Sequence, residues 1–200
     1  MNSLGFNKKE NDTKVIVAMS GGVDSSVVAV KLKMEGYDVT GVTLRLYNQP
    51  NSSKSKSCCA GIDIDDAKKV AEQYDFPHKV YDYQDKFFNG VISNFVDSYA
   101  NGETPVPCIQ CNQTVKFSDL LEESKNLNAD ALVTGHYAIR KGGLKESKLF
   151  KAKDKTKDQS YFLFATLQYQ LDYVRFPLGH YLKSEIRQMA DDYNLIVSDK

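Results

Sequence analysis

Apolar residues run from Val15 to Met19 and stop at Gly21-Gly22, which predicts a short buried strand opening into a turn. Behind the turn Val23, Val27, Val30 and Met34 recur at helical spacing, and Gly36 stands where a helix C-cap belongs. Val39 to Leu46 reads as a second strand. A strand, loop, helix and strand in this order form a βαβ crossover, which requires parallel pairing. The pattern repeats: Ile64 to Tyr74 is helical with Ala67, Val70, Ala71 and Tyr74 on one side, and His78 to Tyr83 is strand-like. Phe88, Val91, Ile92, Phe95, Val96 and Tyr99 form a helical stripe expected to pack into the core. Ala131 to Thr134 reads as a buried strand with Gly135 at its carboxyl end. Tyr137–Arg140 and Lys148–Lys151 flank Gly142-Gly143 as a hairpin, and a last helix after Pro177 holds Gln188, Met189 and Tyr193. The expected fold is α/β, a doubly wound and mostly parallel sheet, over residues 14–200, behind a flexible tail of residues 1–13.

Two segments resist this pattern. Asn48 to Ala60 is rich in Ser and Lys, is expected to be mobile, and ends near Cys58-Cys59. Asn101 to Asn112 holds Pro105, Pro107, Cys108 and Cys111 and reads as a loop, too Pro-rich for a helix interior.

Composition narrows the class. With 26 basic and 26 acidic side chains the formal net charge is +0, so no global field draws the chain to nucleic acid, and any such contact needs a local patch. No apolar run reaches the length of a membrane span. The polar start lacks an apolar signal core, and four cysteines do not make a disulfide scaffold. Reduced thiols and a cytosolic, cytoplasmic location are expected.

The chemistry begins at Ser20-Gly21-Gly22-Val23-Asp24-Ser25. A loop between strand and helix aims backbone N–H groups at one point, where the helix dipole also favours an anion. Gly21 and Gly22 allow phosphate near the backbone, and Ser20, Ser25 and Ser26 offer hydroxyls. It is not the Walker pattern, since no Gly-Lys-Ser/Thr follows. By position Leu44 and Gly135, each at the end of an expected strand, flank the nucleotide crevice of a doubly wound sheet. His136 is adjacent, either as a site residue or as a satisfied structural histidine.

Cys108-Ile109-Gln110-Cys111 admits several readings. Half a zinc site would need a second pair, and Cys58-Cys59 has the wrong spacing, so no metal site is expected. A redox pair should open a helix behind a thioredoxin-like strand, which is not expected here. One thiolate acting as nucleophile would need its pKa lowered, with Lys116 nearby for the task. A structural loop with incidental cysteines is the fourth reading.

The Ser-Gly-Gly-x-Asp-Ser loop resembles the signature of ATP pyrophosphatases. Together with Thr104-Pro105-Val106-Pro107-Cys108-Ile109-Gln110-Cys111-Asn112, Val115-Lys116-Phe117, Thr134-Gly135-His136-Tyr137 and Lys157-Asp158-Gln159-Ser160-Tyr161-Phe162, it resembles the tRNA-specific 2-thiouridylases from Lys14 onward. The resemblance implies ATP bound at Ala18, Met19, Ser20, Gly21, Gly22, Val23, Asp24, Ser25, Leu44 and Gly135, with Asp24 organising Mg²⁺ or the loop. It implies adenylation of O2 of the wobble uridine of tRNA, release of pyrophosphate, and displacement of AMP by a persulfide sulfur from a partner sulfurtransferase. Cys111 matches the nucleophilic cysteine. Lys157, Asp158 and Gln159 match a tRNA-contacting segment, and Val106, Pro107 and Cys108 should border the target base. The family's second catalytic cysteine and its central and β-barrel domains lie beyond the position of Lys200, so an incomplete catalytic domain is expected. Two other classes stay open: an adenylating synthetase acting on a small carboxylate or carbonyl, and a remnant that binds nucleotide or tRNA without turnover. An iron–sulfur cluster on Cys108 and Cys111 is a variant of the first reading.

Overall fold

The computed structural model describes residues 1–46 and 61–200. Its centre is a five-stranded sheet of order β3-β2-β1-β4-β7, with β1 at Lys14–Ala18, β2 at Asp38–Arg45, β3 at His78–Asp82, β4 at Ala131–Thr134 and β7 at Val174–Arg175. Every pairing in it is parallel, with Val15 opposite Val39 on one side and Ala131 on the other. Period-two alternation in β1 sends Val15 and Val17 to one face and Ile16 to the other, into two separate cores. All three are fully buried, each worth about 1.5–3 kcal/mol relative to exposure. Burial on both faces is what makes β1 a continuous apolar run.

Helices α1 (Val23–Met34), α2 (Gly61–Gln73) and α8 (Lys183–Asp192) cover the first face. Helix α1 ends in a Schellman turn: Tyr37 N–H donates to Leu32 C=O and Gly36 N–H to Lys33 C=O, with Gly36 at φ +94°. The second face is covered by two long helical stretches and by α7 (Gln168–Tyr173). The first stretch is α3 (Gln84–Phe87), a π-helical segment (Phe88–Ile92) and α4 (Ser93–Ala100). The second is α5 (Pro107–Cys111), a π-helical segment (Asn112–Asp119) and α6 (Leu120–Asn126). Outside the sheet, β5 (Ala138–Lys141) and β6 (Lys148–Lys151) pair as the expected antiparallel hairpin. The chain winds outward through β1, β2 and β3, then returns to place β4 on the far side of β1. That reversal opens a crevice at the carboxyl ends of β1 and β4.

Three expectations need correction. The first thirteen residues are not a tail. Leu4 and Phe6 are buried, Asn2 Nδ2 donates to Thr13 Oγ1 at 2.9 Å, and Arg175 stacks over the Phe6 ring at 4.6 Å. The stripe from Phe88 to Tyr99 is mostly surface: Val91 is fully buried, but Phe88, Val96 and Tyr99 are each more than half exposed. The Pro-rich segment is a loop only up to Val106. Helix α5 starts at Pro107, because proline at the first helical position gives up an N–H that has no intrahelical partner anyway. The Asn48–Ala60 segment, with Cys58 and Cys59, lies outside the described residues.

Candidate functional site

At the crevice β1 ends in Ala18 and the chain turns through Ser20–Gly22 into α1, whose N-cap is Gly22. Gly21 sits at φ +74°, and a Cβ there would lie 2.0 Å from the Asp63 carbonyl oxygen in α2. Any side chain would both strain the backbone and push α2 away. The first N–H groups of α1 have no partner inside the helix and point out of the turn. Ser25 Oγ accepts from Ser20 N–H at 3.1 Å and holds the turn closed. Ser26, offered above as a phosphate donor, is fully buried and spends its hydroxyl on Gly22 C=O at 2.9 Å. Lys200 fastens the same turn from outside, its Nζ reaching Gly21 C=O at 3.2 Å and the carboxylates of Asp63 and Asp66 at 2.8 and 2.5 Å.

The turn opens onto a cavity of about 450 Å³. Ala18, Met19, Ser20, Asp24 and Ser25 line it from the β1–α1 junction, Leu44 from the end of β2, and Gly135 from the end of β4. Gly135 is required by closeness: its Cβ would lie 3.2 Å from the Ser25 backbone nitrogen. From the opposite wall come Cys111 at the end of α5, Lys116 in the π-helical segment, and Lys157 and Gln159 ahead of a 3-10 turn. Residues some 90 positions apart in sequence thus share one cavity.

Not every expected residue reaches it. Gly21, Gly22 and Val23 do not line the cavity with side chains, and Val23 is buried in the α1 core. Val106, Pro107 and Cys108 lie away from the cavity wall, with Val106 and Cys108 exposed at the start of α5. Asp158 points into its own turn, accepting from Ala152 N–H and Ser160 Oγ, both at 2.8 Å. Gln159 is clamped to Tyr137 by two bonds, Tyr137 N–H to its Oε1 at 2.9 Å and its own N–H to Tyr137 C=O at 2.8 Å. Its amide NH₂ is the group left to address a ligand.

Two lining residues had no sequence signal. Tyr137 donates its hydroxyl to Asp24 Oδ1 at 2.7 Å, and Lys183 Nζ pairs with the same oxygen at 2.6 Å. Lys183 opens α8, far along the chain, and its backbone N–H is capped by Asp154 Oδ2 at 3.0 Å. Burial, then the bond to Asp24, push the Tyr137 phenol well above its ordinary pKa, so it stays a hydrogen-bond donor. His136, packed between the rings of Phe117 and Phe176, shares a 2.8 Å bond between Nδ1 and Thr134 Oγ1. Burial, then the charge of Lys116, pull its pKa down to about 3. It is a neutral imidazole, and the cations facing the cavity are lysines. Among the described residues no group of three or more His, Cys, Asp or Glu is arranged to hold a metal ion. None of their helices is long and apolar enough to cross a membrane.

Comparison with known proteins agrees with this geometry. The family described as tRNA methyl transferase HUP domain matches residues 13–200. The chain is 56% identical over 201 residues to the tRNA-specific 2-thiouridylase MnmA of Rhodospirillum centenum, covering all of this chain and 51% of that protein. It is 57% identical over 202 residues to that of Jannaschia sp., covering all of this chain and 53% of the relative. The chain therefore spans about half the length of the curated relatives it matches. Among solved structures, a predicted subunit of tRNA methyltransferase from Methanocaldococcus jannaschii superimposes with a TM-score of 0.56. It shares 20% identity over 90% of this chain and 76% of its own, a likeness of fold.

Proposed function

The chain belongs to the tRNA methyl transferase HUP domain family, and from that premise we propose that it carries the ATP-dependent activation step of 2-thiolation at the wobble uridine of tRNA. One observation carries the reading: the strand-to-helix turn with Ser20 and Asp24 and the thiol-bearing residue Cys111 line the same cavity. ATP would lie with its phosphates on the α1 N-terminus and its adenosine between Leu44 and Gly135. Lys183 and Lys116 supply positive charge at the cavity wall. Asp24 is the carboxylate that would hold Mg²⁺, and one acid fits an ion that takes most of its ligands from phosphate and water. Such an ion neutralises charge between phosphate oxygens.

Uridine O2 would attack the α-phosphorus, forming the P–O bond as the bond to the leaving pyrophosphate breaks. A persulfide sulfur, supplied by a sulfurtransferase, then replaces AMP at C2, with Cys111 as the thiol that acts in this second step. Lys157 and Gln159, on the cavity wall, are the tRNA-facing groups of this site. Val106, Pro107, Cys108 and Asp158 would contribute from the surrounding surface. The relatives' names support the substrate class.

The test separates the steps. Pyrophosphate release from ATP should depend on unmodified tRNA and survive Cys111→Ser, while 2-thiouridine formation with a loaded sulfur donor should vanish in that variant. Release stimulated by a small carboxylic acid and indifferent to tRNA would replace this reading with that of an adenylating synthetase.

A further inference from the structure

A second cavity, of about 290 Å³, lies beyond the far end of β5 and is bordered by Arg140, Arg175, Lys31 and His180. Arg175 is 5% exposed, yet all of its hydrogen bonds go to neutral carbonyls: Nε to Leu4, and Nη1 to Asp172 and Val174, at 2.8–2.9 Å. Arg140 is held the same way, with Nε on Leu171 C=O, Nη1 on Gly142 C=O, and Nη2 on the carbonyls of Gly143 and Asp172. Among the described residues neither guanidinium has a carboxylate oxygen within 4.0 Å. The nearest acid, Asp172, gives its Oδ1 to Ser147 N–H and to Gln168 Nε2, and Lys31 is already paired with Glu35. Carbonyl dipoles solvate a guanidinium without neutralising it, and buried charge is ordinarily paired. Two guanidinium charges against one distant carboxylate leave about one positive charge uncompensated beside an open cavity.

The donors left over have a definite geometry. A guanidinium carries five N–H groups. Three on Arg175 and four on Arg140 are spent, which leaves both Nη2 hydrogens of Arg175 and one Nη1 hydrogen of Arg140 without an acceptor among the described residues. Three donors from two planes suit a tetrahedral oxyanion better than a planar carboxylate, which one fork saturates. We propose that this cavity is an anion site that takes a phosphate group, either free phosphate or a phosphodiester of an RNA backbone, on Arg175 and Arg140. It is independent of the activation chemistry proposed above. Burial, followed by the charge of Arg140, draws Arg175 down to about 10, in keeping with two cations facing each other unscreened.

The Nε–Hε signals of Arg140 and Arg175 in the NMR spectrum report the site directly. Titration with inorganic phosphate should shift both saturably, and sodium chloride of equal ionic strength should not. Arg140→Gln should weaken the response about tenfold. Because that change also removes carbonyl bonds, His180→Glu is the companion variant: it adds negative charge at the cavity edge, leaves the guanidinium bonds in place, and should weaken binding similarly. A parallel titration with a short RNA lacking terminal phosphates distinguishes the sources. Saturation by RNA alone assigns a backbone phosphodiester, and saturation by phosphate alone assigns a free anion. Shifts no larger than those in chloride, or shifts confined to the Ser20–Asp24 amides, would overturn the proposal.

Discussion

At Asp24 one carboxylate oxygen receives both the Tyr137 hydroxyl and the Lys183 ammonium, so the anion nearest the phosphate turn is already neutralised without nucleotide. Lys183 is therefore held at the mouth of the turn, where arriving phosphates would compete for it. Lys183→Met should weaken ATP binding at least about tenfold, by losing a charge-assisted contact and by leaving Asp24 to repel the phosphates. Tyr137→Phe should cost less, since only a hydrogen bond is lost. Calorimetry giving wild-type affinity for Lys183→Met would remove that lysine from the site. His136 supplies a second test. Its folded pKa, about 3, lies below the unfolded value of 6.5, so the unfolded chain binds the extra proton. Its contribution is fully present above pH 6.5 and is lost as pH falls toward 3. Between pH 7 and 5 it should remove ~2 kcal/mol of stability. Urea denaturation of His136→Gln should show a flatter pH dependence over that interval; equal slopes in both proteins would mean His136 titrates normally.

Among the elements, what could be read in advance was what local chemistry decides. The buried strand β1, the turn after it and β4 with its following glycine carry their own pattern in four to eight residues, and the structure places all three at the crevice. The cysteine helix was hidden because prolines read as breakers, whereas Pro107 occupies the one helical position that tolerates it. The π-helical segment that follows shifts the phase of the side chains, so a 3.6-residue period does not find the buried set Val115, Phe117, Leu120 and Leu121. Lys183 and Tyr137 were invisible for another reason: each meets Asp24 through tertiary packing across more than 110 positions. The N-terminal segment belongs here too. A polar stretch of only two large apolar residues looks like a tail, yet Leu4 and Phe6 are buried, with Arg175 holding Leu4 C=O. Phe6→Ala should lower stability by about 3 kcal/mol, the range for emptying a buried aromatic site. A change within about 0.5 kcal/mol on chemical denaturation would restore the tail reading.

On the scale of the whole molecule, charge decides how RNA would be held. The formal net charge is +0, so long-range attraction is absent and contact must come from local cations. Of the three lysines that line the main cavity, Lys183 is committed to Asp24, while Lys116 and Lys157 have no ion pair among the described residues. On the adjoining hairpin and turn Lys153 is paired with Glu185, and Asp154 and Asp158 stand among the other lysines. Such a surface neutralises about two or three phosphates, so for a single-stranded anticodon loop the slope of log K against log salt should be about −1.5 to −2. The expected binding of unmodified tRNA by this chain is correspondingly weak at physiological salt. Lys157→Gln, exposed beside the cavity, should flatten the slope by about 0.7, the share of one phosphate. Filter binding across a salt series measures both numbers. A slope steeper than about −5 would require a basic surface several times wider than the cavity lysines provide. An unchanged slope in Lys157→Gln, with the wild type near −2, would place the phosphate contacts elsewhere on the molecule, with the Arg140–Arg175 cavity as the next position to substitute.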